Sequence, residues 1–109
     1  MKQITFSYEG QNYTLEYTRD TVVQMESRGL SREELENHPM NAIPELFYGA
    51  FLAHHRYIGQ KKTDEILKKM PNKQELLGTL YEMYLEPINA LFSDPEESEG
   101  NVSWEISGN

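Results

Sequence analysis

The chain has 109 residues, is 38% hydrophobic and 26% charged, and carries a formal net charge of −8. That length holds one domain with one core. Without cysteine there are no disulfides, thiolate nucleophiles or iron–sulfur ligands, and no run approaches the roughly 18 apolar residues of a membrane span.

The charge is unevenly placed. Asp94, Glu96, Glu97, Glu99 and Glu105 fall in the last 16 residues with no Lys or Arg among them, leaving −3 for residues 1–93. No basic stripe exists to neutralise phosphates, so neither nucleic acid nor membrane is an expected partner. The pairs Lys61-Lys62 and Lys68-Lys69 read as solvated helix ends. Met1 to Phe6 lacks the apolar h-region of a signal peptide, and a cytoplasmic location is expected.

Residues 3–17 read as a β-hairpin. Gln3–Tyr8 and Asn12–Tyr17 alternate polar and apolar, with Gly10 available for a turn between them. Ile4, Phe6, Tyr8, Tyr13, Leu15 and Tyr17 share one face, which must pack on helices because an isolated hairpin is marginal in water. Helices are expected at about 19–28, 32–37, 41–58, 63–70 and 73–92. Thr18 suits the first N-cap and Gly29 the residue after its end. Ser31 with Glu34, and Asn72 with Glu75, have capping-box spacing. Thr63 is placed as the cap of the fourth helix, and Gly59 as the close of the third. Pro44 falls in the first turn of the third helix, where its missing N–H removes no bond. Pro87 interrupts the fifth, freeing the Met83 carbonyl.

The fold class is therefore α+β and mostly helical: an N-terminal hairpin on a bundle of four to five helices forming a single domain over residues 1–93. Residues 94–109 read as a flexible acidic tail. Within it Trp104 and Ile106 leave room for a short docking segment.

The stretch Gly49-Ala50-Phe51-Leu52-Ala53-His54-His55-Arg56-Tyr57 invites a metal-site reading. On a helix through 41–58, Leu46, Phe47, Ala50, Phe51, Ala53, Tyr57 and Ile58 share a sector of roughly 160°, with Glu45, Gly49 and Arg56 opposite. His54 lies near the centre of that sector, as a core or interface imidazole. Adjacent helical residues do not face one another. The positions four away are Ala50, Phe51, Ile58 and Gly59, none a ligand. No nucleophile elbow, P-loop or dinucleotide fingerprint occurs. Neither a metal, a cofactor nor an enzymatic activity is expected.

The last helix carries two apolar stripes. Leu76, Leu80, Met83, Tyr84, Pro87 and Leu91 form a core-facing one. Leu77, Tyr81, Leu85, Ile88 and Phe92 form a second beside it, and these five are the candidate partner-binding residues. A small domain rarely covers so much apolar circumference: either this helix is wrapped on two sides by its own domain, or the second stripe meets another chain, including another copy.

The order "ITFSYEGQNYTLEYTRDTV", "GAFLAHHRY", "PNKQELLGTLYEMYLEPINALFSD" and an acidic tail resembles, over about the first 94 residues, a small family from long-tailed (siphovirus-type) bacteriophages and prophages of Gram-positive bacteria. These are the tail assembly chaperones, much of whose family is known only as a domain of unknown function. The resemblance implies a non-catalytic chaperone that coats the tape-measure protein, keeps it soluble and helps recruit tail-tube subunits. It implies self-association in some members, a longer frameshifted form in others, work in the bacterial cytoplasm, and absence from the mature virion. The competing readings are a structural tail-completion component of the virion and a small protein-binding adaptor.

Overall fold

Two residues set the hairpin. Glu9 and Gly10 have φ of 49° and 80°. Two consecutive positive φ values make the tight connection whose twist matches the flanking strands. The computed structural model, which describes residues 2–94 and 102–108, pairs β1 (Ile4–Tyr8) antiparallel with β2 (Gln11–Leu15), with Phe6 opposite Tyr13 and Ile4 opposite Leu15. The expected apolar face turns inward, but unevenly. Tyr13, Leu15 and the following Tyr17 are buried, whereas Ile4, Phe6 and Tyr8 are only half-buried.

Five helices follow, giving the expected α+β, mostly helical fold. In α1 (Arg19–Ser27) the Thr18 Oγ1 accepts from the Thr21 amide at 3.1 Å, and the Thr21 Oγ1 accepts from the Thr18 amide at 2.9 Å. The helix closes where Gly29 takes φ +99°. The Leu30 amide donates to the Met25 carbonyl and that of Gly29 to Glu26, which satisfies carbonyls the helix leaves open. In α2 (Arg32–Asn37) the Ser31 Oγ accepts from the Glu34 amide at 3.0 Å. The Glu34 carboxylate turns instead to His38 Nδ1 at 3.4 Å, so the box is half made.

The third helix departs most from expectation. α3 spans Pro39–Phe51, not 41–58. It begins earlier because Pro39 itself occupies the first turn, which puts Pro44 in the second. It stops seven residues short because its C-terminal carbonyls are diverted. The Ala50 carbonyl accepts from the Glu16 amide at 2.9 Å, and the His54 amide turns to Phe51 instead. Gly59 therefore does not close α3 but caps the start of α4 (Gln60–Lys69), three residues before the expected one. Thr63 is no cap. It lies inside α4, fully buried, with its hydroxyl donating to the Gln60 carbonyl at 3.0 Å. α5 (Lys73–Phe92) has the expected bounds and continues through Pro87. Its N-cap Asn72 sits at φ 52° without a side-chain cap bond, so the capping box with Glu75 does not form.

The core lies where α3 crosses the hairpin and α5. Phe51 packs edge-on against Phe6, Tyr13 and Phe47, with ring centroids 6.2, 5.5 and 5.0 Å away. Each such buried side chain stabilises by about 1.5–3 kcal/mol relative to exposure. The Tyr17 hydroxyl donates to the Leu46 carbonyl at 2.6 Å, and its ring meets Tyr84 edge-on at 5.8 Å. This ties the end of the hairpin to α3 and α5 at one point. Gly49, expected on the polar face, is buried against α1, where a Cβ would come within 2.4 Å of Met25 Sδ.

The acidic tail falls in part on residues 95–101 and 109, outside the described ones. Residues 102–108 have no regular secondary structure and are exposed.

Candidate protein-binding surface

α5 is sealed along one line and open beside it. Leu80, Met83 and Tyr84 are buried, as expected of the core-facing stripe. Leu91, assigned to that same stripe, is 61% exposed because the body ends before the helix does.

The five candidate residues divide along the helix. Leu77, Tyr81, Leu85 and Ile88 are half-buried, packed at the margin of the core. Phe92 is 81% exposed. Tyr81 is flanked by α2, whose Arg32 Nε reaches its hydroxyl at 3.4 Å. Burial and the nearby Glu26 and Tyr81 push the Tyr84 hydroxyl's pKa up, so it stays protonated at the stripe's edge. The upper part of the stripe is thus shared with the body, and exposure rises toward the C-terminal end.

Sequence reasoning did not find Met40. Phe51 at the end of α3 touches the hairpin at Phe6 and Tyr13, and Leu76 near the start of α5 adjoins Ile4 of the hairpin. Leu46 and Tyr84 meet the same Tyr17. The two helices therefore run antiparallel, and the start of α3 lies at the end of the molecule where α5 finishes. Met40, in the first turn of α3, is 88% exposed, as Leu91 and Phe92 are at the close of α5. An apolar residue beside the Pro39 helix start is the one local sign of it.

The two histidines serve the hairpin. His55 Nε2 accepts the Thr14 amide proton at 3.0 Å, and its ring packs at a tilt against Tyr13 and edge-on to Phe51. That bond requires a neutral imidazole with its proton on Nδ1. Desolvation first, and the neighbouring His54 second, lower the His55 pKa in the same direction. His54 is exposed rather than central to the core, and its Nε2 lies 2.7 Å from the Glu16 carboxylate. With the Ala50 carbonyl on the Glu16 amide, residues 50–55 clasp the outer edge of β2. Beside them lies an open cleft of about 620 Å³ lined by Tyr13, His54, His55, Tyr57 and Lys62 among others. Among the described residues no three His, Asp or Glu side chains converge as a metal site requires, and no helix is long and apolar enough to cross a membrane.

Residues 1–107 match the family described as Domain of unknown function (DUF5055), and the chain belongs to that family. No curated protein and no solved structure matches it. The family match runs past α5 and takes in the C-terminal segment with Trp104 and Ile106.

Proposed function

We propose that the protein is a non-catalytic assembly chaperone which binds an amphipathic helical partner along the open side and end of α5. On the resemblance of its sequence to tail assembly chaperones, that partner is the tape-measure protein of a long-tailed phage, with tail-tube subunits recruited afterwards. The carrying observation is the run along α5 from the half-buried Leu85 and Ile88 to the exposed Leu91 and Phe92. A helix laid on such a surface is read through residues three and four apart, the spacing the stripe itself has.

The surface also fits the cost of the task. Leu91, Phe92 and Met40 contribute little to the fold where they stand, so burying them against a partner is a gain reserved for binding. A chaperone that must later release its client needs a modest contact of this kind.

Co-expression with the tape-measure protein tests the reading. The partner is expected to become soluble and to co-purify, and the double variant Leu91→Glu/Phe92→Glu to lose the complex while remaining folded. An insoluble partner, or a complex indifferent to that variant, overturns it. Purified virions separate this from a tail-completion role, because a chaperone is absent from them.

A further inference from the structure

The hairpin has one edge held to the body and one open edge. A two-residue turn makes Tyr8–Gln11, Phe6–Tyr13 and Ile4–Leu15 the hydrogen-bonded pairs, so the amides and carbonyls of Thr5 and Ser7 on β1, like those of Asn12 and Thr14 on β2, point outward. On β2 the Thr14 amide meets His55, and just beyond the strand that of Glu16 meets Ala50. On β1, among the described residues, Thr5 and Ser7 have no backbone partner beyond the hairpin. The same asymmetry shows in the side chains. Tyr13 and Leu15 are buried, while Ile4 and Phe6 lie half-covered, and Ile4 borders a shallow cleft with Pro71, Asn72 and the half-buried Leu76 at the α4–α5 junction.

The chain contains a segment that fits this edge. Val102-Ser103-Trp104-Glu105-Ile106 alternates apolar and polar, the period of a strand with one buried face. Its three apolar side chains are 86%, 81% and 88% exposed. We infer that Val102–Ile106 adds as a third strand along the free edge of β1 of the same chain, with its apolar side chains over the α4–α5 junction.

Charge favours this occupant. Lysines flank that edge: Lys2 just before β1 and Lys62 of α4 over the Tyr8 ring, with Lys73 opening α5 beside the cleft that Ile4 borders. α4 adjoins β1 directly, through the Tyr8 hydroxyl donating to Glu65 at 3.0 Å and Lys62 lying over the Tyr8 ring. The segment and the residues leading to it carry Asp94, Glu96, Glu97, Glu99 and Glu105 with no basic residue. The reach is sufficient. Lys2 Nζ lies 3.6 Å from Glu82 on α5. Phe92 is ten residues along the helix from Glu82, about 15 Å. Residues 94–101 extend at most about 26–29 Å, more than the return path needs. This assignment stands whether or not α5 binds a helical partner.

Trp104 is the chain's one tryptophan, so its fluorescence reports on the segment directly. In the full-length protein, Trp104 emission is expected to be blue-shifted and shielded from acrylamide. The amides of Thr5 and Ser7 are expected to exchange about tenfold or more slowly than in full-length Val102→Asp/Ile106→Asp, whose changes lie outside the folded body. Thr5→Pro, which removes an outward N–H, is expected to expose Trp104 from the other side of the contact. Freely quenched Trp104, with Thr5 and Ser7 exchange equal in wild type and the double variant, overturns the inference. Protection that rises with concentration alongside a dimer mass in light scattering overturns the same-chain assignment and gives the strand to a second copy.

Discussion

His55 Nε2 accepts the amide proton of Thr14 at 3.0 Å, and so a side chain from beyond the end of α3 completes the hydrogen bonding of a strand edge 41 residues earlier. An imidazole performs this only when neutral. Folding therefore favours the deprotonated form, in line with the lowered pKa that desolvation and His54 give it.

The sign of the pH dependence follows. Above the unfolded-state value of about 6.5, His55 is neutral in both states and its contribution to stability is complete. As pH falls through that value the unfolded chain takes up the proton first, and stability declines until pH passes below the lowered native value. Urea denaturation between pH 8 and pH 5 is expected to show this decline, and His55→Leu to lack that component. His55→Leu also leaves the Thr14 amide without its partner, at a cost of about 1 kcal/mol at pH 8.

Gly49 is held by packing rather than by backbone conformation. Alanine there gains helix propensity of up to about 1 kcal/mol, but its Cβ meets the buried Met25 side chain at three atoms within 2.8 Å. Displacing Met25 costs about 1–3 kcal/mol. Gly49→Ala is expected to lower the midpoint of thermal unfolding, and Gly49→Ala/Met25→Ala to lose less than the sum of the two single changes, as coupled neighbours do.

Tyr17 is fully buried, and desolvation together with Tyr84 holds its hydroxyl pKa well above the usual tyrosine value. Its hydrogen bond to the Leu46 carbonyl is short. Tyr17→Phe keeps the ring against Tyr84 and removes the bond, for an expected loss of about 1 kcal/mol in urea denaturation. Tyr17→Ala removes ring and bond together, for an expected loss of about 3–5 kcal/mol, a large share of the about 5–15 kcal/mol of an ordinary domain.

Leu91→Glu and Phe92→Glu are expected to leave the unfolding free energy within about 0.5 kcal/mol of wild type, since both side chains are largely exposed. Leu80→Glu, on the sealed side of the same helix, is expected to unfold the protein. Circular dichroism on the three variants separates the two sides of α5.

What local chemistry decides was legible in the residues. Thr18, Gly29 and Ser31 cap where their side chains or backbone freedom suit them, and the alternation of residues 3–17 reads directly as a hairpin. What distant chemistry decides was not. Apolar residues at helical spacing continue past Phe51, and only the pull of the Glu16 amide on the Ala50 carbonyl ends α3 there. Thr63 has the chemistry of a cap, yet its burial inside α4 comes from packing. The second stripe of α5 was legible as an excess of apolar surface, while the burial of its upper part and the exposure of Phe92 depend on how α2, α3 and α5 pack.

The clasp on β2 also limits how copies of this protein can join. Were the C-terminal segment displaced from β1, two hairpins meeting there would make a four-stranded sheet whose outermost strands are both β2, each held by its own histidine and alanine carbonyl. Such a union ends at two and offers no template for fibre growth, a safeguard for a small sheet that otherwise has a bare side.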